Sequence, residues 1–496
     1  MLSGQDVHLT CLANVRLPGT ESDTRYDVDV ASGRVQAIVP AGSGKRSDPA
    51  LVLDAEGGYL IPGLWDYHVH FAQWANTLTR LDLSAAGSAE ECAHRLGEYA
   101  ATHPPAPGGA VLAMGYRGAL WDPEPNVALL DRYTGATPVI AISGDFHSAW
   151  FNSAALALLG LPEHDGPVRE NTWFDVIAEV DALPASDPDA GLRLASQDAA
   201  RRGVVGVVDV DFNRNYALWP ERVARGLTQL RVRAGFYPEA LDDVIARSLT
   251  DGAVLDPSAL TVLGPLKIIA DGSLNTKTAY CFDAYPGGGH GTLNVPMEDL
   301  VSLLTRAREA GLTVAVHAIG DRANSIVLDA FDQTGAHGSI EHAQLLAAGD
   351  ATRMAQLGVC ASIQPAHLLD DRAPAAHLWP GRTPYAFATL RDAGVALHLG
   401  SDAPVAPLDP WLAIAAAVGR GEPEEEAWEP TEVLDARTAL AASTAQGRTH
   451  VRAGDVADLV VTHTDPLAVG LGAQELRQMR VLATVLGGRV THDARR

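Results

Sequence analysis

The run Ile61-Pro62-Gly63-Leu64-Trp65-Asp66-Tyr67-His68-Val69-His70 closes an apolar stretch with two histidines one residue apart. On a β-strand, residues i and i+2 point to the same face. Both imidazoles would therefore leave one strand end side by side, spaced to share a single cation such as zinc. Taken alone, a His-x-His is as readily two ordinary loop histidines. What gives this pair weight is the way later apolar runs end. His317 ends one in LTVAVHAIGDRAN, Glu341 and His342 end the next in SIEHAQLL, and Asp402 ends a later one in VALHLGSDAPVAPLDP. Any one of them could be a satisfied core residue; in this order they point to a metal site.

Lys267 is the unusual member. It lies inside the apolar run of GPLKIIADGSLNTKT, followed by Asp271 and Gly272. A strand-borne lysine is costly to bury unless its charge is paired or removed. One solution is a salt bridge to Asp271. Another is carboxylation by carbon dioxide, which makes an anionic carbamate able to bridge two cations. That route needs a neutral amine, depressed from the reference pKa of about 10.4.

These residues need a scaffold that gathers strand ends. The middle of the chain alternates apolar strand-like runs with Ala- and Leu-rich helical ones. The former are AVLAMGY, TPVIAISGD, GVVGVVDVD, LRVRAGFY, GPLKIIADG, LTVAVHAIGD, GSIEHAQLL, VCASIQP and VALHLGSD; VSLLTRAREAG and ANSIVLDAFDQTG are helix candidates, the second with a Gly cap. Continuous apolar strands between helices mean a parallel sheet covered on both faces. At this number of repeats the expected fold is α/β, a closed (β/α)8 barrel, with an open doubly wound sheet as the alternative. No GxGxxG opens a helix after the first strand, which weighs against dinucleotide binding. In such barrels chemistry sits at the C-terminal ends of the strands, where the residues above fall. Residues 1–61 and 440–496 read instead as short strands with turn signals, expected to form one small β-sandwich from both termini. The barrel is expected over 62–439, with an inserted subdomain around 85–200.

Composition narrows the function class. With 496 residues, 47% of them hydrophobic, the chain can bury a large core and an accessory one. A net charge of −24 argues against nucleic acid or an anionic membrane as partner. The acidic run Glu422-Pro423-Glu424-Glu425-Glu426 reads as a solvated loop. Cys11, Cys92, Cys281 and Cys360 are scattered and form no CxxC pair, the pattern of reduced thiols. No secretory signal or run of eighteen apolar residues is visible, so a cytoplasmic location is expected. The expected partner is a small-molecule substrate, with a homodimer left open.

The order His-x-His, Lys, His, His, Asp between β-rich ends resembles the amidohydrolase superfamily, and in detail its YtcJ-like branch. The matching segments are IPGLWDYHVHF, GDFHSAWFNSAAL, LKIIADGSLNTKTA, VAVHAIGDRAN, SIEHAQLL, SIQPAHLLDD, LGSDAPVAPLDPWLAI and AGDVADLVV, spread over nearly the whole chain. The resemblance implies a (β/α)8 barrel with a metal centre and a composite sandwich. It implies that His68, His70, Lys267 and Asp402 hold one divalent metal, zinc for preference. Lys267, as carbamate, would share its second oxygen with another ion held by His317 and His342, giving one or two ions per chain. A metal-activated hydroxide would be the nucleophile, since zinc can bring bound water to a pKa of about 7. Asp402 would be the general base and later pass the proton to the leaving amine. The implied activity is hydrolysis of a C–N bond, an N-formyl or N-acyl amide of a small organic molecule. A mononuclear-metal deaminase or a cyclic amide hydrolase of the same superfamily is the alternative. Those deaminases usually carry His-x-x-Glu after the fifth strand, whereas His317 is followed by Ala-Ile-Gly-Asp. A non-enzymatic relative would have lost ligands, and none is missing. The chain departs from the branch at Gly115-Tyr116-Arg117, with Trp121-Asp122 beyond it, and in GPVRENTWFDVIAEVD, regions expected to line the substrate pocket.

Other residues carry two readings each. His147 is expected to join Asp402 and His317 in the catalytic set by binding substrate or a developing oxyanion, or else to be a loop residue. Asn152 is a substrate contact or a plain N-cap. Trp121 and Asp271 are further substrate-contact candidates. Arg322 anchors a substrate carboxylate or pairs with Asp321. Gln364 and His367 sit at another strand end behind the ligands, and His398 alternates onto the face of Asp402. The Gly287–Gly291 loop lacks the Lys-Ser/Thr of a phosphate loop and reads as a lid or plain connection.

Overall fold

Eight of the apolar runs form parallel strands: β1 (Leu64–Val69), β2 (Val204–Asp209), β3 (Arg231–Phe236), β4 (Thr261–Ile269), β5 (Val314–Ala318), β6 (Gly338–His342), β7 (Cys360–Ile363) and β8 (Leu397–Leu399). They pair in sequence order, each with the next. The ring closes where the tail of β8 meets β1: the Asp402 N–H donates to the His68 carbonyl at 2.7 Å, and the His70 N–H to the Ala403 carbonyl at 2.9 Å. Closure is tight enough to require glycine at position 400, since a Cβ there would lie 2.7 Å from the His68 nitrogen. The fold is therefore a (β/α)8 barrel, described by a computed structural model over residues 8–20, 23–44, 48, 51–118, 121–144, 148–169, 172–173, 175–184, 187, 189–212, 214–422 and 425–495.

The strand composition explains the burial. Every residue of β2, VVGVVD, is buried, as two covered faces require. Helices follow the strands, among them Met297–Glu309 and Asp321–Thr334, the latter ended by Gly335 in the left-handed region at φ +63. Two expected strands lie elsewhere. AVLAMGY and TPVIAISGD supply Val111–Tyr116 and Val139–Ser143, which belong to a separate five-stranded sheet. Apolar periodicity alone does not say which sheet a strand joins.

The chain divides into two compact units, Met1–Trp74 with Ala195–Arg496, and Ala75–Leu194. In the second unit, parallel pairing of Leu81–Asp82, Val111–Tyr116 and Val139–Ser143 gives way to antiparallel Ser148–Phe151 and Val168–Arg169. One of its cores packs Leu96, Leu130 and Trp150; another packs Ile140, Phe151 and Trp173.

In the first unit, both termini build the composite β-sandwich. One sheet orders Arg34–Pro40, Tyr26–Ala31, Cys11–Val15 and Val52–Asp54; the other orders Arg489–Asp493, Val481–Leu486, Leu459–Thr462 and Tyr59–Pro62. Leu12, Val28 and Leu53 of the first meet Leu60, Leu459 and Val485 of the second in one core. Tyr59–Pro62 runs almost directly into β1, so the sandwich leads the chain into the strand that carries His68. No helix among the described residues is long and apolar enough to cross a membrane.

Candidate metal centre

Alternation along β1 does what the His-x-His spacing implied. Asp66 and His68 are buried on one face, while Trp65 and Tyr67 are half-buried on the other. His70 follows at the strand end. Its backbone leads into the helix Phe71–Thr79, whose first N–H groups are accepted by carboxylates at and just beyond the end of β2: Phe71 by Asp209 at 3.2 Å, Ala72 by Asp211 at 3.0 Å. Capping of this kind fixes a helix start, and here it fixes the direction of His70.

The Asp402 carboxylate lies between the two imidazoles. Its Oδ1 is 3.5 Å from His68 Nε2 and 3.4 Å from His70 Nε2. Its Oδ2 faces the other side, 3.8 Å from His367 Nε2. Donor atoms of His68, His70 and Asp402 lie within 4.8 Å of one another, and so do those of His342, His367 and Asp402. His70 Nδ1, His342 Nδ1 and His367 Nε2 are buried without a hydrogen-bond partner. Burial holds His68, His317 and His342 below the usual imidazole value, His317 at about 3. Burial also opposes ionisation of Asp402, yet the surrounding imidazoles hold it well below the ordinary carboxylate value. His68, His317 and His342 biased to the neutral form, beside a carboxylate biased to the ionised form, match the protonation states a divalent cation requires of its ligands. The residues fit the group.

Two backbone features bring these side chains together. Glu341 and His342 are adjacent, and strict alternation would send them to opposite faces. His342 instead takes φ +72, and Asp402 takes φ +57 beyond the end of β8. Non-glycine residues seldom occupy that region, and those that do gather at functional sites. Glu341 thereby reaches His68 Nδ1 at 2.5 Å and also accepts from Ser339. Burial pushes its pKa up, but His68, Lys267 and Ser339 together outweigh this and hold it at about 2. The carboxylate fixes His68 Nδ1 as the donor and so makes Nε2 the nitrogen that carries the lone pair toward the cluster.

Lys267 is 1% exposed, its Nζ 3.3 Å from His68 Nε2. Burial lowers its pKa, partly offset by Glu341 and Asp402. A salt bridge to Asp271 is not what the structure shows. Asp271 is fully buried and accepts N–H groups from Ile319 at 3.0 Å, Gly320 at 2.9 Å and Tyr280 at 2.8 Å. It ties the loop after β4 to the loop after β5, and its Oδ1 also lies 3.5 Å from His317 Nε2.

The sequence order His68, His70, Lys267, His342 and Asp402 is gathered in one place. His317 lies beside it, its ring 4.5 Å from that of His342 and its Nε2 3.2 Å from the Gly272 carbonyl. It completes neither of the two three-residue donor groups. Glu341 and His367 enter the site with larger parts than expected. Three residues leave it. Asn152 is fully buried, its side chain accepting from Val139 and Ala155 and donating to Thr134 and Thr137, so it is a helix cap with no bond to spare. Arg322 does not pair with Asp321: its guanidinium lies 4.7 Å over the Tyr280 ring, and Asp321 is bonded to Arg382. His398 stacks on Tyr67 at 4.1 Å, on the outward side of β1. Trp121 lies against Tyr116 at 6.0 Å within the second unit's core. His147 lies outside the described residues.

The sequence model of the amidohydrolase family matches residues 51–492, nearly the whole chain. The chain belongs to that family. As an amidohydrolase it is a hydrolase of carbon–nitrogen bonds. It is 29% identical to Protein LONG AFTER FAR-RED 3 of Arabidopsis thaliana, covering 89% of this chain and 84% of that protein. It is 26% identical to N-substituted formamide deformylase of Arthrobacter pascens, covering 97% of each. Among solved structures, a metal-dependent hydrolase of Pyrococcus horikoshii OT3 superposes with a TM-score of 0.79 at 26% identity, over 92% of this chain and 98% of that one.

Proposed function

We propose that this amidohydrolase cleaves the amide of a small organic molecule, an N-formyl or N-acyl amine. The observation that carries the reading is the convergence of His68, His70, His342 and His367 on the two oxygens of Asp402. A divalent cation held there, zinc for preference, supplies Lewis acidity toward a carbonyl oxygen and makes water a stronger acid. Asp402 stays ionised under its neighbours' influence, so it can accept the proton that attacking water loses. The same carboxylate can return that proton to the amine nitrogen as the C–N bond breaks, which an uncharged amine leaving group requires. Glu341 keeps His68 in one tautomer throughout. Burial lowers the Lys267 pKa and so favours the neutral amine to which carbon dioxide adds; we propose that it is carboxylated. Its Nζ–C bond forms as a proton leaves, giving an anion that suits a site of neutral histidines. Similarity to N-substituted formamide deformylase supports the N-acyl class.

A hydrolysis panel with zinc-loaded protein tests this. Release of primary amine from N-formyl or N-acyl amines, lost on chelation and restored by zinc, is the expected result. Ammonia from an aminoheterocycle, with no amine from any amide, would replace the reading with deamination.

A further inference from the structure

We infer that Phe212 and Val405 form an apolar rest beside His70 that receives a hydrocarbon group of the substrate, with Phe212 setting the preference for its size. The inference rests on the proposed hydrolase reading and names a part of the substrate that the cleaved amide does not include. β8 and β2 are the two neighbours of β1 in the closed barrel, so the segments that follow them flank His70. Both are fastened beside it: the His70 N–H donates to the Ala403 carbonyl at 2.9 Å, and the Val210 N–H to the Val69 carbonyl at 2.9 Å. Each segment then presents an apolar side chain to solvent, Phe212 at 62% exposure and Val405 at 66%. A single exposed apolar residue is ordinary. Two of them on either side of a candidate ligand are gathered surface, which marks binding.

Phe212 is held rather than loose. Its ring stacks on His70 at 5.1 Å and 19°, and on Tyr237 at 5.2 Å and 23°, so rings from the ends of β1, β2 and β3 stand in one row. Its N–H donates to Asp211 Oδ1 at 2.9 Å, and the same carboxylate caps the helix that follows His70. The Tyr237 hydroxyl donates to the Val210 carbonyl at 2.9 Å. With that hydroxyl used, Phe212 and Tyr237 present carbon to whatever lies against them. A side chain already ordered by stacking loses little entropy when a ligand covers it. A hydrocarbon group laid there gains up to about fourfold in affinity for each methylene it buries, whereas a charged group gains nothing from either Phe212 or Val405.

The test compares two series of amides on the zinc-loaded protein: the formamides of methylamine, butylamine and phenethylamine, and the methylamides of acetic, pentanoic and phenylpropanoic acids. In wild type, kcat/KM is expected to rise at least about tenfold from the smallest to the largest member of one series. Which series rises tells which half of the substrate lies on Phe212. Phe212→Ser should cut that ratio about tenfold, through KM more than kcat. Phe212→Leu, which keeps most of the apolar area, should retain most of the ratio, and Val405→Ser should cut it less. A Phe212 that only braces His70 would instead lower bound zinc and slow every substrate alike, with the ratio unchanged. That outcome overturns the inference and leaves the hydrolase intact. Calorimetric binding of the same amines and acids needs no turnover. An affinity that grows with size and is flattened by Phe212→Ser, in a protein that cleaves no amide, would support the apolar rest and remove the proposed reaction. No dependence on size in either readout would overturn the inference.

Discussion

In the sandwich, Leu12, Val28, Leu60, Leu459 and Val485 meet across two sheets, all of them apolar and buried. At the barrel mouth, Glu341, Lys267, Asp402 and five histidines crowd together, most of them nearly as well buried. Both regions belong to one compact unit, so the contrast does not come from separate folding. Apolar burial at about 25 cal/mol per Å2 makes the sandwich a net source of stability. The mouth holds buried nitrogens without partners, which cost about 1–3 kcal/mol each, together with His342, Ala343 and Asp402 in the left-handed region. One region is shaped for cohesion. The other keeps donors unsatisfied, which is what a ligand-binding site needs.

The sharpest way to break that contrast is Asp402→Asn. The substitution keeps size but removes the base and weakens both triads. Activity should fall by about a thousandfold or more, and bound metal should fall with it, while the chelated protein melts within a few degrees of wild type. Near-normal turnover with normal metal content would remove Asp402 from the chemistry. Leu459→Ala should do the opposite. A buried leucine truncated to alanine costs about 2–5 kcal/mol, seen as an earlier denaturant midpoint. Metal content and turnover of the folded fraction should stay at wild-type values. If metal were lost in step with stability, the two regions would be coupled through β1, which directly follows the sandwich strand Tyr59–Pro62.

Glu341→Gln sits between these extremes. It keeps a partner for the His68 Nδ1–H but removes the charge that strengthens it. Losing such an orienting carboxylate typically costs about 10–100-fold in metal affinity or activity. Competitive chelation against a zinc indicator would read the change. An affinity equal to wild type would mean that barrel packing alone orients His68.

The barrel and sandwich were legible because period and composition report burial, and strand ends report where barrel chemistry sits. His68, His70, Lys267, His342 and Asp402 followed from that rule. His367 was harder to weigh, because it opens a helix and its nearness to Asp402 depends on the turn after β7. Glu341 was hidden by its neighbour: alternation permits only one of residues 341 and 342 to face inward, and the φ of +72 that admits both has no signature in an Ile-Glu-His-Ala sequence. Asp271 and Asn152 are found holding backbone groups, for a shared reason. A polar residue at a strand or helix end is read the same way whether it serves a ligand or the backbone, and both serve the backbone here.

The smallest effect expected is at Asp66, which lies on the same face of β1 as His68 but belongs energetically to the framework. Its Oδ1 accepts the Ser401 and His68 N–H groups at 3.0 and 3.1 Å, fastening the closing seam of the barrel. Burial raises its pKa to about 6 from an ordinary 3.8, with the Asp402 charge adding to the rise and the hydrogen bonds opposing it. The folded protein then holds a proton between pH 3.8 and 6 that the unfolded chain has released. This contribution to stability is complete below pH 3.8 and is lost as pH rises through about 6. In Asp66→Asn the amide oxygen still accepts both N–H groups and no longer titrates. The variant should gain on wild type as pH rises across that window, by about 3 kcal/mol at most. Urea unfolding of the two chelated proteins at pH 4, 5 and 6.5 would show it. A constant difference across the three would mean that Asp66 is ionised throughout, and that the seam of the barrel carries a buried charge as the metal cluster beside it does.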